Sequence, residues 1–267
     1  MNAPSTTPAA RCALVTGASS GIGAECARIL VQHGYRVALL ARRADALHAL
    51  AAELGAGTLV LTCDVRDAQA VERACAEIRR AFGRLDLVVN NAGAGYRARV
   101  EELDPALVAR TLETNVSGVL HVCRATLPLL RASSRAVVVN VASVVGRRGI
   151  PGQAVYSASK AAVVSIGEAL RLEWARENIA VCTLNPGLTS TGFFGSQPNP
   201  SSLPAPDLAQ ADSARRVALA ILALDRSPRA EVSLRWKWRV FALLSVVWPR
   251  FSDRVLARRL GGEWHPR

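Results

Sequence analysis

Tyr156 and Lys160 stand four residues apart in Tyr156-Ser157-Ala158-Ser159-Lys160, a spacing that puts both side chains on one face of a helix. A lone phenol, with a pKa of about 10, is a poor proton donor or acceptor at neutral pH. A neighbouring ammonium favours the phenolate and draws that value down, as does the positive charge of an oxidised nicotinamide. The pair alone is weak, because solvated helices carry many tyrosines and lysines at this spacing. Ser143 strengthens it. It stands just past the apolar run Ala136–Val141, after Ala142, and a hydroxyl at the C-terminal end of a parallel strand faces the ligand crevice of an open sheet. The chemistry open to this set is proton exchange with a substrate oxygen.

A second constellation lies near the N-terminus. Cys12–Thr16 reads as a strand and runs straight into Thr16-Gly17-Ala18-Ser19-Ser20-Gly21-Ile22-Gly23. A strand, a glycine turn and a helix start form an anion site, since free backbone N–H groups and the helix dipole face the ligand. Gly17 would permit the tight turn, Gly21 the approach of a pyrophosphate and Gly23 close helix packing. The spacing is G-x-x-x-G-x-G rather than G-x-G-x-x-G, so the position at the first β–α junction carries the argument. At the end of the second strand, an acid would bind both hydroxyls of an adenine ribose, whereas arginine accommodates a 2′-phosphate. This chain has Ala41-Arg42-Arg43 and no acid until Asp45. A guanidinium fork suits phosphate, so NADP(H) is expected over NAD(H), although one of the two arginines would serve equally well opening a solvated helix.

The elements that must position these groups are legible as alternating patterns. Arg36–Leu40, Thr58–Thr62, Leu85–Val89 and Ala136–Val141 are continuous apolar runs, further strands are expected at Ala180–Leu184 and Glu231–Leu234, and helix-length segments separate them. Runs apolar at every position are strands buried on both faces, and the alternation implies βαβ crossovers. Helices are expected at about 22–33 and 43–54, with two long ones at 105–131 and 153–177. The expected fold is α/β: a single Rossmann-like, doubly wound domain with a parallel seven-stranded sheet and helices on both faces. It would span 11–233, after a flexible N-terminus (1–10) and before a basic, Trp-rich C-terminal extension (234–267). The Ser/Pro/Gly/Asn-rich stretch inside 188–211 reads as a substrate loop, because loops this long in compact domains are usually functional.

Composition narrows the function classes. The chain has 267 residues, half of them hydrophobic, 33 Lys+Arg against 21 Asp+Glu, and a net charge of +12. That excess invites nucleic acid, yet from Arg226 onward ten basic residues face three acidic ones, a net +7 that leaves +5 for everything before it. The six cysteines (12, 26, 63, 75, 123, 182) and four histidines (33, 48, 121, 265) show no metal-ligand spacing, so no metal is expected and the thiols read as reduced and buried. No secretory signal is visible, and the longest apolar run, Val240–Trp248, is far short of the roughly 20 residues a spanning helix needs. A cytoplasmic protein, in contact with a membrane at most through its surface, is expected.

Taken together the motifs resemble the short-chain dehydrogenase/reductase family over roughly residues 11–190. The matching segments are TGASSGIG at 16–23, CDV at 63–65, NNAG at 90–93, TNV at 114–116, VASVVG at 141–146, YSASK at 156–160 and PGLTST at 186–191. The resemblance implies that Tyr156 is the general acid, that Lys160 lowers its pKa and binds the nicotinamide ribose, and that Ser143 holds the substrate oxygen. It implies that Asn115 anchors a water joining Lys160 to solvent. Asp64 and Val65 would border the adenine, Asn91, Ala92 and Gly93 line the cofactor cleft, and Pro186, Gly187, Leu188 and Thr191 contact the nicotinamide side. Pocket candidates are Ala94, Gly95, Val144, Val145, Gln153, Val155, Leu188, Phe193 and Phe194. Nearly all are apolar, which suits a small hydrophobic ketone, aldehyde or alcohol. The family also implies a homodimer or homotetramer built on the 105–131 and 153–177 helices.

Two other classes bear comparison. A non-catalytic dinucleotide sensor would be expected to lose Tyr156, Lys160 or Ser143, and all three are present; no nucleic-acid motif accompanies the basic tail. A membrane-surface scaffold would use 234–251, where Trp236, Trp238 and Trp248 mix with cations and aliphatics before Pro249 stops the run. Such a segment suits an interfacial helix on anionic lipid, or a face packed on the protein or on a partner subunit.

Overall fold

The computed structural model describes residues 10–260; the segment expected as a flexible N-terminus lies outside the described residues up to residue 9, as does the end of the C-terminal extension from residue 261. Strands β1 (Cys12–Thr16), β2 (Arg36–Ala41), β3 (Thr58–Thr62), β4 (Leu87–Asn90), β5 (Ala136–Val141) and β6 (Ile179–Asn185) are followed by two short ones, β7 (Thr189–Ser190) and β8 (Asp212–Ser213), and by β9 (Glu231–Ser233). Seven of them form one sheet in the order β3-β2-β1-β4-β5-β6-β9, every neighbouring pair parallel.

Burial on both faces explains the continuous apolar runs. In β5, Ala136 and Val138 join one core, with α3 (Ala68–Phe82), α5 (Gly118–Arg131) and α6 (Ala154–Glu173). Val137, Val139 and Val141 join the other, with α1 (Gly21–Gln32), α2 (Ala44–Leu54) and α7 (Ala214–Arg226). Alternate side chains of a strand point to opposite faces, so a strand covered by helices on both sides has no position to spare for polar residues. All six cysteines are buried and unpaired within these layers.

Several elements differ from the sequence expectation. The helix expected at 105–131 is interrupted: α4 (Pro105–Leu112) passes through a π-helical turn, Glu113–Ser117, before α5 begins. π turns are rare and concentrate at functional positions; this one holds Asn115, fully buried. The 188–211 segment is not wholly irregular, since β7 pairs in parallel with β8 across it. Pro249 ends α8 (Trp236–Val247) but also opens a further helix, α9 (Pro249–Leu260). Proline's fixed φ and missing N–H suit the first position of a helix as well as they end the preceding one.

Strand order reverses between β1 and β4, and the crevice at the C-terminal ends of a doubly wound sheet opens at such a switch point. Along that edge lie the ends of β1, β4, β5 and β6, carrying Gly17, Asn91, Ser143 and Pro186.

Candidate active site

Gly17 (φ +66) and Gly21 (φ +56) occupy the left-handed region that side chains disfavour. A Cβ on Gly17 would fall 2.9 Å from the Cα of Ala92, and one on Gly23 would fall 2.3 Å from the carbonyl oxygen of Gly17. The first turn of α1 is therefore pressed onto the loop that precedes it. Thr16 locks the loop to the end of β4: its Oγ1 accepts from the N–H groups of Asn91 and Ala92, both at 2.9 Å, and donates to the Val89 carbonyl. The amide of Asn91 donates to the Thr16 carbonyl at 3.0 Å. Ser20, the N-cap of α1, makes no side-chain capping bond, and the first turn contains no acid. The leading N–H groups of α1, Ile22 and Gly23 among them, are thus left to a ligand, and a dinucleotide pyrophosphate fits this cradle.

The two arginines after β2 differ. Arg43 is the N-cap of α2, and its guanidinium donates to the Ser19 hydroxyl at 3.1 Å and to the Ser19 carbonyl at 3.2 Å, clamping the glycine loop from outside. Arg42 is exposed beside the same crevice. Asp64 is engaged by Arg66, which donates from its guanidinium at 2.7 Å and from its backbone N–H at 3.0 Å. Burial would raise the Asp64 pKa, but these bonds and the charges of Arg66 and Arg42 hold it below the ordinary carboxylate value. Val65 is buried against Gly118, where an added Cβ would meet it at 2.7 Å, so its side chain is a packing group.

Tyr156 and Lys160 lie on the first two turns of α6. Lys160 is 5% exposed and donates to the main-chain carbonyl of Val141 at 2.8 Å; its Nζ stands 5.9 Å from the centre of the Tyr156 ring. Burial draws the Lys160 pKa down from its ordinary 10.5 to about 8. Burial pushes the Tyr156 phenol up, and a hydrogen bond with Ser143 pulls the other way. At neutral pH the phenol therefore holds its proton beside a cationic amine. Ser143 caps the 3-10 turn Val144–Gly146, and the Val144 N–H donates to the Pro186 carbonyl, binding the ends of β5 and β6 together. Gly93 sits close by; a Cβ there would meet Asn115 Oδ1 at 3.3 Å and Lys160 Nζ at 3.6 Å.

The side chain of Asn115 is fully engaged by protein groups. Its carboxamide accepts from the Ala94 N–H at 2.7 Å and donates to the Ala94 carbonyl and the Ser159 hydroxyl, both at 2.9 Å. Ser159 in turn donates to the Tyr156 carbonyl. The amide is thus committed to tying the π turn, the loop after β4 and α6 together, which leaves the main chain of Asn115 outside this network. Thr16 and Ser159 are the two positioning residues that sequence reasoning passed over. Thr16 lies in TGASSGIG and Ser159 in YSASK; the Thr16 contacts depend on register between β1 and β4, and the Ser159 contact with Asn115 on how the π turn meets α6.

The 188–211 segment lies over the segment that follows Gly93. The Arg97 N–H donates to the Pro198 carbonyl at 3.1 Å, its guanidinium donates to the Pro204 carbonyl at 2.6 Å, and the Arg99 N–H donates to the Ser201 hydroxyl at 2.8 Å. Phe193 reaches Tyr156, ring centres 5.8 Å apart, and Phe194 meets Phe193 edge-on. Thr191 faces the glycine loop, 3.4 Å from where a Gly21 Cβ would stand. Val144 and Val145 are buried, and Gln153 is the N-cap of α6. Gly95 departs from the pocket expectation: it is covered by Gln197, whose side chain an added Cβ would overlap. Leu188 is exposed, while Gly187 lies against Arg235 and Asp212.

A Rossmann-type sheet, an uncapped glycine cradle and a serine, a tyrosine and a lysine on its edge define a dinucleotide-dependent oxidoreductase class. Residues 11–200 match the short chain dehydrogenase family, and the chain belongs to this family of short-chain dehydrogenases and reductases. It is 39% identical over 177 residues to a 3-oxoacyl-[acyl-carrier-protein] reductase of Bos taurus, covering 66% of this chain and 75% of that one. It is 35% identical over 248 residues to an uncharacterised oxidoreductase of Mycobacterium tuberculosis, covering 90% and 95%. Among solved structures it is similar to a 3-ketoacyl-(acyl-carrier-protein) reductase from Brucella melitensis in complex with NADH, with TM-score 0.76, 30% identity and coverage of 84% and 96%. A similar likeness holds to an alcohol dehydrogenase from Thermococcus sibiricus in complex with 5-hydroxy-NADP, with TM-score 0.75, 31% identity and the same coverage.

Proposed function

We propose that the chain is an NADP(H)-dependent carbonyl reductase, interconverting a small hydrophobic ketone or aldehyde and its alcohol. The observation that carries this reading is the convergence of Ser143, Tyr156 and Lys160 on the strand edge that also bears the glycine cradle. NADPH, when bound, supplies the hydride. Ser143 holds the substrate oxygen, and Tyr156 delivers the proton to it from a phenol that burial keeps protonated. Lys160, cationic below about pH 8, stabilises the phenolate left behind. Thr16, Asn91 and Arg43 keep the glycine loop in shape, and exposed Arg42 takes the 2′-phosphate.

An apolar substrate is supported by Phe193 against Tyr156 and by buried Val144 and Val145. Relatives named for oxoacyl and ketoacyl reduction are compatible with it. The segment lying over 94–99 excludes water from the reacting oxygen. A homodimer or homotetramer through the α4–α5 and α6 region, as the family implies, belongs to the same reading.

The test is NADPH oxidation followed across steroids, long-chain ketones, aldehydes and quinones, with NADH in parallel. Turnover of an apolar carbonyl with NADPH supports the reading; turnover only of charged, polar carbonyls, or only with NADH, overturns it.

A further inference from the structure

Helix α8 is apolar on more than one side: Trp238, Phe241 and Leu244 are half-buried, and a second apolar stripe is left exposed. The one residue it buries is Ser245, whose hydroxyl donates back to the Phe241 carbonyl at 2.7 Å. Its outward stripe is Trp236, Val240, Leu243 and Val247, spaced as one helical face, and Leu243 is 64% exposed. Val246, Trp248 and Phe251, all more than half exposed, extend that stripe across the elbow into α9. These side chains are surplus to what the rest of the domain covers. The segment is nonetheless docked: Arg235 donates to Asp212 at 3.1 Å, Arg148 pairs with Asp253, and Leu256 and Ala257 are buried. The stripe is therefore held outward on a fixed support.

Cations border it. Lys237 and Arg239 are exposed on either side of the stripe, and Arg250, Arg254, Arg258 and Arg259 are exposed on α9. Asp253 is the sole acid of the two helices and is already paired with Arg148. Lys237, Arg250, Arg254, Arg258 and Arg259 make no ion pair among the described residues. An outward apolar stripe ending in tryptophans and flanked by unneutralised cations matches the headgroup boundary of an anionic bilayer.

We infer that the α8–α9 elbow is a docking surface for anionic phospholipid. A second copy of the chain fits less well: a two-fold interface would set the same patch against itself, bringing these unpaired cations together.

The experiment is co-sedimentation of the full chain with vesicles of phosphatidylcholine alone and of phosphatidylcholine mixed with phosphatidylserine, at low and high salt. Anionic vesicles should retain the protein about tenfold or more better than neutral ones, with the advantage lost at high salt. Leu243→Glu with Val247→Glu should remove binding, and Lys237→Glu with Arg254→Glu and Arg258→Glu should remove the preference for anionic lipid, each variant keeping the wild-type circular dichroism and melting temperature. Equal binding to both vesicle types overturns the inference. So does a chain that stays free of vesicles but forms a dimer in light scattering that Leu243→Glu dissociates, because the face is then an interface between copies.

Discussion

The ammonium of Lys160 donates to the main-chain carbonyl of Val141, 2.8 Å away at the end of β5, so the cation nearest the Tyr156 ring is anchored to the sheet rather than to another charge. Among the described residues no carboxylate pairs with it, and burial draws its pKa down to about 8. In the reductive direction kcat/KM should be highest below that value and fall as pH rises through about 8, where the amine loses its charge and no longer stabilises the phenolate. A pH–rate profile that stays level across this range would contradict the assignment.

The same burial has a thermodynamic consequence. Below about pH 8 both folded and unfolded Lys160 carry the proton, and folding bears the full cost of burying it. Between about 8 and 10.5 the folded protein releases that proton while the unfolded chain keeps it, so stability rises with pH. Lys160→Met should therefore be more stable than wild type at neutral pH. The relief is on the order of 3 kcal/mol, offset by about 1–2 kcal/mol for the Val141 carbonyl left unpaired. Denaturant melts should show that advantage shrinking as pH approaches 10.5.

Tyr156→Phe removes the phenolic hydroxyl while keeping the ring against Phe193. Turnover should drop by about 10²–10⁴-fold, with NADPH binding by fluorescence titration little changed. Near-normal turnover would place the acid elsewhere.

Arg42 and Arg43 should separate by cofactor. Arg42→Ala should weaken NADPH by about tenfold or more while leaving NADH nearly unaffected, the loss of one charge-assisted phosphate contact. Arg43→Ala releases Ser19 and loosens the glycine loop itself, so NADPH and NADH should weaken together. Binding constants for both cofactors with both variants decide this; equal losses in Arg42→Ala would remove its 2′-phosphate role.

Gly23→Ala sets two effects against each other. Alanine gains about 1 kcal/mol of helix propensity, but its Cβ would stand 2.3 Å from a backbone oxygen that cannot swing aside. The overlap should win, with a net loss of about 1–3 kcal/mol in thermal or chemical melts and a larger loss of dinucleotide affinity.

The sheet, the glycine loop and the Tyr156–Lys160 pair could be read from the chain because each rests on a local rule. Strands covered on both faces must be apolar throughout; a tight turn under a helix start needs glycine; four residues on a helix bring side chains together. Other features joined residues remote in sequence and followed no period. The carboxamide of Asn115 closes on Ala94 and Ser159, Arg43 rather than Arg42 clamps Ser19, and Gln197 covers Gly95. These depend on strand register and on how the 188–211 segment comes to rest. Likewise the sequence established that α8 mixes tryptophans, cations and aliphatics, which left open a packed face or a lipid face. Tertiary structure decided its direction, because Arg235, Arg148 and the buried side of α9 fix the elbow with its apolar stripe outward. A helix made of apolar residues on several sides does not itself say which side faces the core.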